Sequence, residues 1–315
     1  MTSSARVPLP TPAQLSDLEA TFGLFNIRLA DGNCISIRDT VAGPVQRPVL
    51  VALHGIGSGA ASWLEVARIF NLKHRLLAWD APGYGDSTPL KQQAPVASDY
   101  AVPLLRLLQS LAVDDFVLVG HSLGALVAAA LTAWQVPGFV PRALVLVSPA
   151  LGYGGVGRQT RGQQVRAQRL AGIEDPGIAT TAALRHDKLL SSEASEVVRA
   201  WVHWNMARLK PLGYRQAIEL LCGDDLLAYC RAIQAERERA GSLLHGLSVH
   251  VWCGSEDNIT PPADCQQVAD VFGVSLELIG DSAHACYVEQ PVAVAQRLEQ
   301  VLQTLQGPLS SSKGT

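Results

Sequence analysis

The sequence predicts an α/β fold with a mostly parallel central sheet that helices flank on both faces. The first observation is that solid apolar runs of strand length alternate with helix-length segments over much of the 315 residues. The second is an apolar run at residues 116–119 that passes through a glycine-rich turn into an apolar, helix-length segment at 123–134. The third is a charged, helical stretch at 151–246 that interrupts the alternation.

Composition excludes several classes of protein. Hydrophobic residues make up 48% and charged residues 17%, so a substantial core is expected. The net charge is −3 with no basic block, which argues against a nucleic-acid partner. Residues 1–14 contain no apolar segment, so we expect neither a signal peptide nor a membrane anchor. No segment reaches the roughly 18 apolar residues that a membrane-spanning helix needs.

The cysteines and histidines indicate neither a disulfide framework nor a metal site. The six cysteines are scattered and none forms a Cys-x-x-Cys pair, so reduced core thiols are expected rather than disulfides. No His, Cys and Asp cluster has metal-ligand spacing. We therefore expect a cytoplasmic protein without a metal or cofactor, whose partner is a small-molecule substrate rather than a membrane.

The first half of the chain contains the signals for most of the sheet. A turn at Asp31-Gly32-Asn33 predicts a hairpin of residues 22–30 and 34–39. Buried strands are predicted at 48–53, 74–80, 116–119 and 143–147. A helix is predicted at about 102–111, where Pro103 is tolerable only near the helix start.

The second half of the chain contains a helical insertion into the predicted fold, followed by the last strands of the sheet. Strands resume at 249–253 and 276–279, and a last helix starts at Pro291. Ligands of open α/β sheets bind at the carboxyl edge, so the helical stretch is interpreted as a lid over that edge. The predicted organisation is an N-terminal extension at 1–21, a core at 22–150 and 247–305, a lid at 151–246 and a flexible tail at 306–315.

Ser122 is the candidate nucleophile. It is the centre of Gly120-His121-Ser122-Leu123-Gly124, whose two glycines let the backbone bend between strand and helix without Cβ clashes. A phosphate-binding turn or a plain strand–helix turn is the alternative interpretation. A serine hydroxyl is a weak nucleophile that needs a base, and the base needs an acid to fix its tautomer.

His284 is the candidate base among eight histidines. It follows the last strand in the loop 280–284, which should return to the same sheet edge as Ser122. The alternative is a solvated loop histidine. His121 adjoins the serine, but on so sharp a turn its side chain should point elsewhere.

Asp257 is the candidate acid because it directly follows the strand at 249–253. Glu256 should face away, and Asp281 is expected to make a turn. Asp224 and Asp225 fall in the predicted lid and suit a solvated face or a helix cap.

Two backbone N–H groups are the candidate oxyanion donors. Leu123 follows the nucleophile at a helix start, and Ile56 lies in the loop after the first buried strand. A simple tight turn is the alternative interpretation of that loop. Residues 80–87 are interpreted as structural, with Asp86 stabilising the turn backbone.

Taken together, the motifs resemble the α/β-hydrolase fold family. The resemblance covers roughly residues 22–305, in the family order Ser, Asp, His. The matching elements are His54-Gly55-Ile56-Gly57, residues 80–87, residues 120–124, Gly254-Ser255-Glu256-Asp257 and Ala283-His284. The chain is similar to small bacterial esterases, enol-lactonases and hydrolases of ring-cleavage products, although Ala125 stands where many relatives have a glycine. The resemblance also implies oxyanion donors at Ile56 and Leu123.

Three hypotheses of function follow. The first is a serine hydrolase that cleaves a carboxylic ester or lactone through an acyl-enzyme. The second is a carbon–carbon bond hydrolase of a vinylogous diketo acid; such relatives typically add a lid arginine, for which Arg208 is the candidate unless it is a solvated helix residue. The third is a non-catalytic member of the fold that binds a ligand or partner, against which the intact Ser, Asp and His argue.

Other features leave the substrate open. Ser122 disfavours family members with an aspartate nucleophile, whereas a peroxidase side activity stays possible with the same three residues. Trp201 and Trp204 share a helix face and either line an apolar pocket or pack the lid onto the body. The sequence leaves the oligomeric state undetermined.

Overall fold

The computed structural model describes residues 7–40, 48–70 and 74–306, and its centre is a twisted sheet. The strands in chain order are β1 (Gly23–Arg28), β2 (Cys34–Asp39), β3 (Val49–Leu53), β4 (Leu76–Trp79), β5 (Phe116–His121), β6 (Ala143–Val147), β7 (Ser248–Gly254) and β8 (Leu276–Ile279). They lie side by side in the order β1-β2-β4-β3-β5-β6-β7-β8. β2 is antiparallel to both neighbours, and every pair from β4 to β8 is parallel. The predicted mostly parallel sheet is therefore confirmed.

Helices cover both faces of the sheet. The α-helices are α1 (Pro12–Thr21), α2 (Leu64–Phe70), α3 (Ala97–Ser110), α4 (Leu123–Ala133), α5 (Gln159–Gly172), α6 (Ile178–Arg185), α7 (Glu196–Ala207), α8 (Pro211–Gly223), α9 (Leu226–Glu238), α10 (Pro262–Phe272), α11 (Cys286–Glu289) and α12 (Pro291–Gln306). Successive residues of β3 enter opposite apolar clusters, because side chains alternate along a strand. Val51 packs with α3 and α4, whereas Leu50 packs with α2 and α12. Burial on both faces explains the solid apolar runs of the central strands.

The predicted start of the helix at 102–111 is wrong. α3 begins at Ala97, so Pro103 lies inside the helix rather than in its first turn. The early start is stabilised by two carboxylates that accept N–H groups. Asp99 accepts from Val96 (2.9 Å), and Asp224, 127 residues away in sequence, accepts from Ala97 (2.6 Å). The second of these caps depends on tertiary contact and has no local sequence signal.

Residues 12–21 of the predicted N-terminal extension form a helix that the sequence analysis did not predict. Thr11 and Gln14 make reciprocal side-chain bonds to backbone N–H groups, and Pro12 occupies the first helical position. Leu18 packs into the cluster that contains Leu50. Residues 1–6 of the extension and 307–315 of the predicted tail lie outside the described residues.

Between β6 and β7 the chain forms the helices α5 to α9, and no strand occurs in the stretch 151–246. The unit is not detached from the body, because Leu226, Cys230 and Ile233 of α9 belong to the same apolar cluster as α4. The bounds 151–246 for a lid stay a prediction. Within the described residues, no helix has the length and apolarity that would let it cross a bilayer.

Candidate active site

The turn between β5 and α4 holds Ser122 in a strained conformation. Ser122 has φ 52° and ψ −115°, a region that non-glycine residues rarely occupy and that commonly marks functional sites. The flanking residues must be glycine because a Cβ at either position would clash with neighbouring backbone. A Cβ on Gly120 would lie 2.7 Å from the Cα of Ala125, and one on Gly124 would lie 2.6 Å from the carbonyl oxygen of Leu53. The glycines thus permit close packing while the serine takes the unusual backbone angles.

The structure brings together the three side chains that the sequence analysis selected. His284 Nε2 lies 3.0 Å from Ser122 Oγ, and His284 Nδ1 lies 2.9 Å from Asp257 Oδ2. All three residues are no more than 4% exposed. An ionised carboxylate can only accept, so Nδ1 carries the proton and Nε2 accepts from the serine hydroxyl. This is the arrangement in which a histidine can remove the proton of a serine.

Asp257 is held as an anion by its surroundings. Its Oδ1 accepts the backbone N–H groups of Ile259 (2.8 Å) and Thr260 (2.9 Å). Burial alone would raise the pKa of this carboxyl. The charge and hydrogen bond of His284, together with the two backbone bonds, outweigh burial and lower the pKa to about 2. The carboxylate is therefore ionised at neutral pH, facing the histidine.

Thr260 is a site residue that the sequence analysis missed. Its Oγ1 lies 2.9 Å from Asp257 Oδ2, 3.0 Å from the carbonyl oxygen of Ser148 and 3.2 Å from His284 Nδ1. The hydroxyl thus connects the acid, the base and the end of β6. The available signal was the Asp-x-x-Thr spacing, which is typical of a turn closed by an aspartate side chain.

The two candidate oxyanion donors belong to the segments that follow β5 and β3. Leu123 is the first residue of α4, so its N–H has no helical carbonyl one turn earlier to bond. Ile56 lies in the loop after β3, where its carbonyl accepts the hydroxyl of Tyr84 at 2.8 Å. Ile56 and Ser122 line the same cavity.

His54 fixes the Ile56 loop. Its Nε2 accepts the N–H of Ala81 at 3.0 Å, so Nδ1 carries the proton and donates to the carbonyl of Gly55 at 2.8 Å. Burial lowers the pKa of His54, which keeps the ring neutral as these bonds require. His54 is thus a structural residue that joins the loops after β3 and β4.

A cavity of about 690 Å³ opens onto Ser122 and His284. This volume is in the range of sites for small molecules. Its walls combine the Ile56 loop and the ends of β5 and β6 with residues of α5, α6, α8 and α9. In the described part of the chain, no three His, Cys, Asp or Glu side chains group as metal ligands would.

Arg208 and the two tryptophans do not line this cavity. The guanidinium of Arg208 stacks on Trp204 at 3.9 Å from the ring centroid, beside a second cavity of about 260 Å³. Trp201 is buried and meets Trp204 edge to face with centroids 5.4 Å apart. Of the two predicted roles of these tryptophans, the structure therefore favours packing.

The predicted role of Asp86 is wrong. Its carboxylate is exposed and faces Lys210 at 3.6 Å, so it accepts no backbone bond within the turn. Asp80 is the carboxylate that ties this turn to its neighbours, because it is buried and accepts the N–H of Ala60 (2.8 Å) and the hydroxyl of Ser36 (3.0 Å). Asp80 is the first and Asp86 the next-to-last residue of the turn 80–87, and local sequence did not distinguish their roles.

The sequence model of the Alpha/beta hydrolase family matches residues 50–297, most of the chain. The protein belongs to the alpha/beta hydrolase family. This establishes it as a hydrolase and places the motifs around Ser122, Asp257 and His284 within the matched region.

Named relatives are distant but match over most of their length. The chain is 25% identical over 275 residues to a 3-oxoadipate enol-lactonase of Acinetobacter baylyi, covering 85% of this chain and 93% of the relative. A thermophilic esterase from Thermogutta terrifontis has a similar structure, with TM-score 0.72, 18% identity and coverage of 90% and 98%. The enol-lactonase from Burkholderia xenovorans LB400 gives TM-score 0.71, 17% identity and coverage of 89% and 100%. The two structural matches support the shared fold.

Proposed function

We propose that the protein is a serine hydrolase that cleaves a carboxylic ester or lactone through a covalent acyl-enzyme. The observation that carries the proposal is the buried chain of hydrogen bonds from Ser122 Oγ through His284 to Asp257, at 3.0 and 2.9 Å. It joins a strained serine to a base whose tautomer is fixed, and it faces a cavity large enough for a small substrate.

The proposed reaction has two halves. Ser122 Oγ attacks the substrate carbonyl while His284 Nε2 accepts the hydroxyl proton, and Asp257 stabilises the imidazolium that forms. The N–H groups of Ile56 and Leu123 donate to the oxyanion of the tetrahedral intermediate. His284 then protonates the leaving alkoxide, and the acyl-enzyme forms. In the second half His284 removes a proton from water, which attacks the acyl-enzyme ester. His284 then returns that proton to Ser122 Oγ as the bond to the acyl carbon breaks and the acid leaves.

The named relatives support an ester or lactone as the substrate. One is a lactonase by sequence, and the structural neighbours include an esterase and an enol-lactonase. Carbon–carbon bond hydrolysis of a vinylogous diketo acid uses the same three residues and is the alternative. Arg208, the candidate arginine for it, stacks on Trp204 away from the main cavity and gives that alternative no support.

The test is hydrolysis of a panel of 4-nitrophenyl esters, lactones and diketo acids by the purified protein. We expect turnover of esters or lactones, with kcat reduced by three or more orders of magnitude in Ser122→Ala and His284→Ala. The matched controls are the exposed residues Ser192 and His245, whose alanine variants should retain full activity. Turnover of the diketo acid alone would establish the alternative. Equal activity in Ser122→Ala would refute the proposal, and folded protein with no turnover would favour a binding role.

A further inference from the structure

The cavity at Ser122 is basic although the protein is acidic. The whole chain carries 25 basic and 28 acidic side chains. The cavity is lined by five basic side chains and two acidic ones, namely Arg158, Arg169, Arg185, Lys188 and Arg231 against Asp225 and Asp264. A local excess of positive charge in a concave site attracts anionic ligands.

Two of these cations are already paired within the protein. Arg158 and Arg231 both face the carboxylate of Asp225, at 2.8 and 3.7 Å. Asp225 also accepts the N–H of Leu227 at the start of α9, so this carboxylate has a structural role. Lys188 is exposed to solvent. The remaining lining cations are Arg169, in the last turn of α5, and Arg185, the last residue of α6.

Arg169 and Arg185 have no carboxylate partner among the residues that the structure describes. Arg169 donates from Nη1 to the hydroxyl of the buried Tyr214 at 3.0 Å, which positions the guanidinium at the cavity wall. Arg185 is half-buried, and its pKa is lowered by burial and by the neighbouring charge of Arg169. Two like charges thus line the same partly desolvated cavity, where a bound anion would offset both the cost of burying them and their mutual repulsion.

We propose that Arg169 and Arg185 bind a carboxylate of the substrate, so that the preferred ester or lactone carries an acid group remote from the scissile carbonyl. This inference rests on the proposed function at Ser122. The planar guanidinium matches a carboxylate in a two-bond geometry, and both guanidiniums line the same cavity. With the acid held by the α5 and α6 arginines, the carbonyl is directed to the Ser122 side of the cavity.

The test compares charged and neutral substrates of equal length. The substrates are the 4-nitrophenyl monoesters of glutaric, adipic and suberic acids, each beside the diester whose second acid is a methyl ester. A phosphonate in place of the carboxylate forms a third arm. The variants are Arg169→Met and Arg185→Met, with Arg169→Gln and Arg185→Gln as second substitutions. Arg161→Met is the control, because Arg161 is an exposed residue of α5 outside the cavity.

The wild-type protein should hydrolyse at least one carboxylate substrate with kcat/KM at least about 10-fold above its neutral partner at low salt. Each Arg169 or Arg185 variant should lower that preference by about 10-fold or more, measured as the ratio of the two kcat/KM values within the same variant. Arg161→Met should keep the preference. Equal turnover of charged and neutral esters by the wild type would overturn the inference, as would loss of preference in Arg161→Met or a stronger preference for the phosphonate.

Failure of this inference is distinguishable from failure of the proposed function. Ser122-dependent turnover of neutral esters without charge preference refutes the carboxylate site alone. If no ester is turned over, binding of adipate to Ser122→Ala is measured by calorimetry, with 1,6-hexanediamine as the cationic control. Adipate binding that is lost in the Arg169 and Arg185 variants supports the anion site, and its absence in the parent overturns it.

Discussion

His121 Nε2 lies 2.9 Å from the carbonyl oxygen of His284, so the residue before the candidate nucleophile supports the backbone of the candidate base. A carbonyl only accepts, which places the ring proton on Nε2. The other ring nitrogen is buried with no partner in the described part of the chain. Burial and the nearby His284 lower the pKa of His121 to about 3. The neutral ring thus fixes the separation of the two loops.

This buried neutral histidine predicts a specific dependence of stability on pH. In the unfolded chain His121 binds a proton below pH 6.5, whereas in the folded protein it stays neutral down to about pH 3. The unfolded state therefore binds more protons in this window, and the free energy of unfolding decreases as pH falls through it. The contribution is about 1.4 kcal/mol per pH unit, or about 2 kcal/mol between pH 6.5 and 5.

Urea unfolding of the wild type and His121→Phe at pH 7.5 and pH 5.0 measures this term. The variant lacks the titrating group, so its loss of stability on acidification should be smaller than that of the wild type by about 2 kcal/mol. An equal loss in both proteins would show that His121 is not the group responsible.

Replacing Asp257 by asparagine should abolish most activity while preserving the fold. The Asn oxygen would keep accepting the N–H groups of Ile259 and Thr260, which turns its amide nitrogen toward His284 Nδ1. Nδ1 would then have to accept, so Nε2 would carry the proton and could not receive that of Ser122. We expect kcat to fall on the order of 10³- to 10⁴-fold.

Asp281→Asn is the matched control for Asp257→Asn. Asp281 is nearer to His284 in sequence, is exposed and has φ 51°, which asparagine tolerates. Its activity should be unchanged. A large loss in Asp281→Asn with a small one in Asp257→Asn would reverse the assignment of the acid.

Gly124→Ala should destabilise the protein through a backbone clash. The added Cβ would lie 2.6 Å from the Leu53 oxygen and 2.9 Å from that of His54, so α4 or β3 must move. We expect a cost of about 2–3 kcal/mol in the free energy of unfolding. Gly280→Ala, where nothing lies within 4 Å, should change it by about 0.5 kcal/mol or less. Equal effects in the two variants, measured by urea unfolding, would contradict the packing explanation.

Thr260→Val tests the role of the Thr260 hydroxyl, because valine has nearly the same shape but cannot form a hydrogen bond. The hydroxyl has one proton, which it donates to Asp257 Oδ2 or to the Ser148 carbonyl, and the variant removes that bond at a cost of about 1–3 kcal/mol in stability. With Asp257 less constrained, kcat should fall about 10-fold at unchanged KM. Thr260→Ser, which retains the hydroxyl, should recover most of the loss, and a Ser variant as impaired as Val would assign the effect to packing.

The placement of Ser122, Asp257 and His284 was predictable because each follows a strand. β5, β7 and β8 run in the same direction, so the loops after them must meet at one sheet edge. The apolar runs and glycine turns determined the strand positions to within a few residues. Hydrophobic periodicity and turn chemistry were sufficient for this level of detail.

The features that the sequence analysis did not predict depend on contacts between residues distant in sequence. Asp224, in the second half of the chain, accepts the N–H of Ala97 at the start of α3. His121 donates to a carbonyl 163 residues away. Arg169 and Arg185 look like ordinary charged helix residues in the sequence. Only the packing of α5 and α6 over the sheet edge places them in the wall of the Ser122 cavity.

Covalent labelling by a fluorophosphonate tests the central claim most directly, because the probe reacts with an activated serine. We predict that intact-mass measurement shows one adduct on the wild-type protein, that peptide mapping places it on Ser122, and that Ser122→Ala is unlabelled while Ser192→Ala labels fully. An unlabelled wild type, or an adduct that persists in Ser122→Ala, would contradict the assignment of Ser122 as the nucleophile.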